Sequence, residues 1–281
     1  MKKILISSDT TCDLPQSIID ENEISLCPIT ILLGTEEHRD TIDIDANGVL
    51  EYVEKTNVLP KTAATGIYAY KEYFEKLLEN NEQVIHFCIS SKASSCYSNA
   101  VKAAEELKNV FVVDSYSLSS GQGIQLLEAC DLLKEGKTAE EIIGEIEAKR
   151  DKSQISFVVD RLDFLHKGGR CSSVAMVASK VLKIHPSIAI SDGALGVKKK
   201  YMGNMARCLT QYVKDIADEN PNYDPKRCFI THSPSDRELV DLVADGVKNL
   251  FKFDEIIETT AGSTVTSHCG YNTIGVIFYN K

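Results

Sequence analysis

The chain has 281 residues, 41 acidic against 31 basic side chains, and a net charge of −10. That balance excludes nucleic acid as the main partner, because neutralising phosphate needs a basic face. The length exceeds the usual single domain and 43% of residues are hydrophobic, so two packed α/β domains are expected, residues 1–153 and 154–281. Nine cysteines occur without a C-x-x-C pair. They read as small buried hydrophobes of a reduced, cytoplasmic protein, with no metal site. No apolar run approaches 18 residues and the one near the N-terminus is short, so neither a signal peptide nor a membrane span is expected.

The first half alternates strand and helix signals. Residues 3–7 (KILIS) read as a strand, and 24–33 as a second, broken or delayed at Pro28. Residues 45–56 and 66–79 are helical, the latter with Ile67, Tyr70, Phe74, Leu77 and Leu78 on one face. Residues 84–89 (VIHFCI) form an apolar strand, and 98–107 a helix. The run 110–113 (VFVV) is a strand ending at Asp114, followed by a helix to Lys134 that stops near Gly136. Thr138 and Glu141 make a capping box that opens one more helix, to about Arg150. This order predicts a mostly parallel sheet with helices on both faces.

The pattern changes after Asp151. Residues 155–159 read as a strand, 161–167 as a short helix stopped by Gly168-Gly169, and 172–182 as an apolar helix. Runs 184–190 and 195–201 flank Ser191-Asp192-Gly193-Ala194, a hairpin signal. A helix over 204–218 and a strand over 227–231 follow. Ser235 and Glu238 cap a helix to about Phe251, and 255–259 and 274–279 close the chain as strands. The second domain is therefore α/β with a mixed or antiparallel sheet.

Ligands of parallel α/β sheets bind at the carboxyl ends of the strands. Those ends carry Ser8-Asp9-Thr10-Thr11, then Ser90, Ser91, Ser94 and Ser95, then Asp114-Ser115. Four hydroxyls between a strand and a helix N-terminus make an anion seat, because backbone N–H groups are unpaired there and the helix dipole favours negative charge. The G-x-x-x-x-G-K-[ST] pattern of a nucleotide loop is absent, so a small anion such as a carboxylate fits. Simple capping by Ser94 or Ser95 explains the same residues. Thr62 and Thr65 precede a helix, and in the second half 264–270 is the one loop that combines hydroxyls with a histidine, His268. Ser94, Asp114 and His268 also follow the chain order of an α/β-hydrolase triad, giving a serine hydrolase acting on a lipid ester as the alternative. Ser94 is flanked by Ala93 and Ser95, however, without the glycines of a nucleophile elbow.

These clusters carry a family resemblance. The run from Ser8 to Pro15 (SDTTCDLP) is similar to the opening D-S-T-x-D-L motif of the DegV family, the fatty-acid-binding subunits of bacterial fatty acid kinase systems. Lys61-Thr62-Ala63-Ala64 resembles its T-S/A-x-P segment. Ser90-Ser91-x-x-Ser94-x-x-Tyr97-x-x-Ala100 resembles its S-S-x-L-S-G-T-Y-x-S-A motif. Val113-Asp114-Ser115 with Gly121 and Gly123, the segment from Leu165 to Arg170 (LHKGGR), and the segment from Thr266 to Gly270 (TSHCG) follow three further motifs in the correct order.

The resemblance implies a long-chain fatty acid held between the two domains and no chemistry by the chain itself. The carboxylate would meet Thr62, Ser94 and His268, with Ser95 beside them, and the acyl chain would run into an apolar tunnel. Cofactors are not expected. A separate fatty acid kinase would phosphorylate the carboxylate to an acyl phosphate for phospholipid synthesis, with Arg170 at the docking face. Transient membrane contact and a monomeric state are also implied. The chain departs from the family at Ser95 and Cys96, which replace Gly and Thr, and at Tyr271-Asn272 in place of Pro-Gly. It departs again at Met202 and Asn204, where two cationic side chains are missing.

Overall fold

The computed structural model describes residues 3–171 and 184–281, and the expected helix over 172–182 lies outside them. Strand β1 (Ile4–Asp9) leads through helix α1 (Gln16–Glu21) to β2 (Ser25–Cys27), β3 (Thr30–Leu33) and β4 (Glu36–Arg39). Helix α2 (Ala46–Thr56), β5 (Lys61–Ala63), α3 (Ile67–Leu78), β6 (Gln83–Cys88), α4 (Cys96–Ala104) and β7 (Val110–Asp114) follow. Helices α5 (Ser120–Lys134) and α6 (Ala139–Lys149) lead into the second half. That half contains β8 (Ser153–Val158), α7 (Leu162–Gly168), β9 (Ile184–Ser191), β10 (Ala194–Met202), α8 (Met205–Glu219) and β11 (Tyr223–His232). It ends with α9 (Arg237–Leu250), β12 (Glu255–Thr260), α10 (Ser263–Cys269) and β13 (Ile274–Asn280).

The N-terminal sheet is parallel throughout, in the order β2-β1-β6-β7. The C-terminal sheet is mixed, β10-β9-β8-β13-β11-β12, with only β11–β12 parallel. The fold is therefore the two-domain α/β arrangement expected from the sequence. One expectation needs correction: residues 24–33 are two strands in two sheets. Pro28 has no N–H to continue the ladder, and beyond it the chain leaves the parallel sheet and enters a small antiparallel one, β4-β3-β5. A second correction concerns α9, whose N-cap residue is Asp236; the Ser235 hydroxyl instead donates to the Ser233 carbonyl.

The two halves share one core. Ile155, Phe229, Ile257, Ile277 and Tyr279 pack with Ile6, Ile85, Phe87 and α5 in a single apolar cluster. Helix α5 is buried almost all round, as a helix between two sheets must be. On its outer end Glu128 and Asp131 bind Lys226, and Asp131 binds Arg227, across the domain boundary. All nine cysteines are buried. Among the described residues no helix is long and apolar enough to cross a membrane.

Candidate functional site

Four short elements converge opposite that shared core. Strand β5 brings Thr62, the turn before α4 brings Ser94 and Ser95, α10 brings His268, and the segment after α7 brings Arg170. All five line one cavity of about 130 Å³ between the domains. Thr62 Oγ1 and His268 Nε2 are 2.9 Å apart, a hydrogen bond that joins the domains across 206 residues of sequence. Residues 264–270, read from the sequence as a loop, are mostly helix α10, and this helix aims the imidazole at β5.

His268 is neutral at physiological pH. Burial pushes its pKa down to about 4, and the nearby Arg170 guanidinium adds to the shift. A neutral imidazole with one nitrogen on Thr62 can orient that hydroxyl but brings no full positive charge. The cation at the cavity is Arg170, which is exposed at the rim. Its Nη1 donates to the Gly168 carbonyl at 2.7 Å and its Nε to the Ala93 carbonyl at 3.5 Å.

The four serines of the anion seat divide. Ser94 lines the cavity, where its hydroxyl accepts from the Cys96 amide at 3.3 Å and donates to the Cys96 sulfur at 3.2 Å. It therefore satisfies a first-turn amide of α4 and still borders the cavity. Ser95 sits exposed at the rim and makes no side-chain cap. Ser90 points elsewhere, donating to the Gly193 carbonyl at 2.7 Å, and the Ser91 amide donates to Asp114 at 3.2 Å.

The hydrolase arrangement is not assembled. Asp114 accepts from the Ser91 and Tyr116 amides and does not border the cavity. His268 bonds Thr62, and the Ser94 hydroxyl bonds Cys96, so no relay links serine, histidine and aspartate. The chain order of a triad was coincidental.

The cavity continues inward. Leu118, Phe157, Val265 and Cys269 border both it and a second chamber of about 30 Å³ whose exposed surface is almost wholly apolar, with Ile155 and Ile277 at its walls. The result is a channel with hydroxyls, imidazole and guanidinium at the mouth and hydrocarbon at the end. Sequence reasoning missed these wall residues, because an apolar side chain in a strand, helix or loop reads the same whether it packs a core or lines a channel.

The model of the DegV family, a family of uncharacterised proteins, matches residues 3–281. The chain belongs to the DegV family. A DegV domain-containing protein of Clostridium acetobutylicum is 32% identical over 285 residues, spanning 100% of both chains. A DegV family protein from Thermus thermophilus, described for fatty acid binding, has the same fold: TM-score 0.92 at 24% identity, over 99% of this chain and 100% of that one. A DegV family protein from Eubacterium eligens, loaded with heptadecanoic acid, aligns at TM-score 0.85 and 25% identity, over 99% of this chain and 100% of the other.

Proposed function

We propose that this DegV chain holds a long-chain fatty acid between residues 1–153 and residues 154–281. The observation that carries the reading is the polarity gradient of the channel: Thr62, Ser94 and His268 at the mouth, apolar walls within. The heptadecanoic acid in the Eubacterium eligens relative supports it. In this reading Thr62 and Ser94 donate to the carboxylate, His268 orients the Thr62 hydroxyl, and Ser95 borders the head at the rim. Burying about fourteen methylenes at ~0.8 kcal/mol each gives roughly 11 kcal/mol, which offsets the cost of association. Head contacts then fix register and select acid over neutral lipid.

Protein purified from a bacterial host should carry about one fatty acid per chain, or take up added palmitate, by native mass spectrometry. Thr62→Ala, Ser94→Ala and His268→Ala should each weaken palmitate about ten- to a hundred-fold more than hexadecanol, since a charge-assisted hydrogen bond contributes about 1.5–3 kcal/mol. Equal losses for both ligands would remove these residues from the head site.

The exposed position of Arg170 beside the mouth supports the further step, presentation of the carboxylate to a separate kinase that forms the acyl phosphate. A guanidinium there matches phosphate geometry. Arg170→Ala should keep its lipid while losing acyl-phosphate formation by the cognate kinase. Unchanged turnover below saturation would exclude that role.

A further inference from the structure

The N-terminus of α10 is held by two acidic side chains from the other domain. Asp40 Oδ1 accepts from the Ser263 amide at 3.1 Å. Its Oδ2 accepts from the Thr264 amide at 3.4 Å, the Thr264 hydroxyl at 2.5 Å and the Thr10 hydroxyl at 2.9 Å. Asp13 Oδ1 accepts from the Gly262 amide at 2.8 Å, and its Oδ2 from the Ser119 hydroxyl. Both acids are buried, Asp40 completely. Their donors are amides and hydroxyls rather than cations, so each buried carboxyl group depends on this set of bonds to offset its loss of water.

The two acids are not equivalent. The Asp13 contacts, one amide N–H and one hydroxyl, could be met equally well by a carboxamide whose NH2 donates to Ser119. Asp40 receives four donors on two oxygens, and a carboxamide would turn an N–H against them. The helix dipole also favours a negative group at this end.

What Asp40 holds is a wall of the cavity. Helix α10 supplies Thr264, Val265, His268 and Cys269 to it, and its far end is tied to β5 through His268 and Thr62. The helix has seven residues, too few to persist without tertiary support. Its hydrogen bonds to the N-terminal domain are those of Asp40 and Asp13, with the Ser263 hydroxyl donating to the Ile44 carbonyl at 3.0 Å, at one end and that of Thr62 at the other, and Asp40 makes the most of them.

We propose that Asp40 is a positioning residue for the carboxylate site: it fixes the first turn of α10 and so places His268 against Thr62. The ligand half of this inference rests on the fatty-acid reading above; the placement of His268 does not.

The test has two readouts on full-length protein. In 15N-histidine NMR of the ligand-free parent, His268 should stay neutral from pH 8 to pH 5, since its pKa lies at about 4 with Arg170 as the charged group beside it. In Asp40→Asn the loosened helix should let His268 titrate near the ordinary value of about 6.5. Palmitate binding should weaken about ten-fold while hexadecanol binding changes by less than about three-fold. Asp13→Asn should leave both readouts near the parent. If Asp40→Asn does not fold, Thr10→Val, which removes one donor to Asp40, should shift both readouts in the same direction by a smaller factor. An unshifted His268 titration, or equal losses of acid and alcohol, would overturn the proposal. A parent that binds neither ligand while its His268 shifts in Asp40→Asn would overturn the fatty-acid reading alone.

Discussion

Gly168 and Gly169 look interchangeable in the sequence, a helix stop spelled twice. Only Gly169 is one: its φ of +71° is the left-handed cap that ends α7. Gly168 is needed for space, because a Cβ there would lie 2.4 Å from His268 Nδ1. That nitrogen has no hydrogen-bond partner among the described residues, so it is packing that holds this face of the ring. Gly168→Ala should therefore displace the imidazole, cost about 1–3 kcal/mol by overpacking, and reduce the preference for palmitate over hexadecanol. Gly169→Ala should cost about 1–2 kcal/mol from left-handed strain alone and leave that preference unchanged. Denaturation midpoints and the two binding constants separate the cases. At this scale hydroxyls at helix and strand ends and a histidine in a hydroxyl-rich segment marked Thr62, Ser94, Ser95 and His268, the family resemblance added Arg170, and the structure brings all five to one cavity. Asp40 could not be singled out, because its partners lie 30 residues before it and more than 220 after.

The β9–β10 hairpin shows how an element gains a role through its docking. Its turn is legible from Asp192-Gly193, both at positive φ in the structure. Its contact is not: Ser90 Oγ donates to the Gly193 carbonyl, and two residues on, Leu195 lines the cavity mouth. Ser90→Ala removes that bond, at a cost of about 0.5–1.5 kcal/mol. Faster hydrogen exchange across β9 and β10, with faster release of bound fatty acid and unchanged protection in α5, is the expected outcome. Unaltered exchange in the hairpin would show that side-chain packing, not the Ser90 bond, holds it down. The elements that sequence reading missed share one cause. Strand β4 (EEHR) is wholly polar, β5 (KTA) is three residues long, and α10 (STVTSHC) is rich in poor helix formers. Each carries little local signal: β4 is held by its hairpin neighbour β3, while β5 and α10 are held by partners distant in sequence, β3 for the strand and Asp40 with Asp13 for the helix.

At the scale of the whole molecule, the apolar core, the Glu128–Lys226 cluster and the two acidic side chains at α10 bind the two domains into one unit, and the last of these makes the unit sensitive to pH. Burial pushes Asp13 up to about 8, with Asp40 and Asp9 adding to the shift against the hydrogen bonds of Ser119 and Gly262. Folded protein thus keeps a proton that the unfolded chain releases near 3.8, so this group lowers stability progressively as pH rises from 3.8 to about 8. His86 and His268, held by burial at about 3 and about 4, act oppositely. The unfolded chain binds their protons below 6.5 while the folded chain refuses them, and stability falls as pH drops from there. Between pH 6.5 and 8 the histidines contribute almost nothing, and Asp13 acts with Asp9, whose pKa burial also raises. Unfolding free energy should therefore decline by up to about 2 kcal/mol from Asp13 across that window. Urea denaturation at pH 6.5 and pH 8 measures the decline, and Asp13→Asn should remove Asp13's share while keeping the bonds to Gly262 and Ser119. A variant as pH-dependent as the parent would mean that Asp13 is already ionised at neutral pH and that the α10 terminus carries two charges.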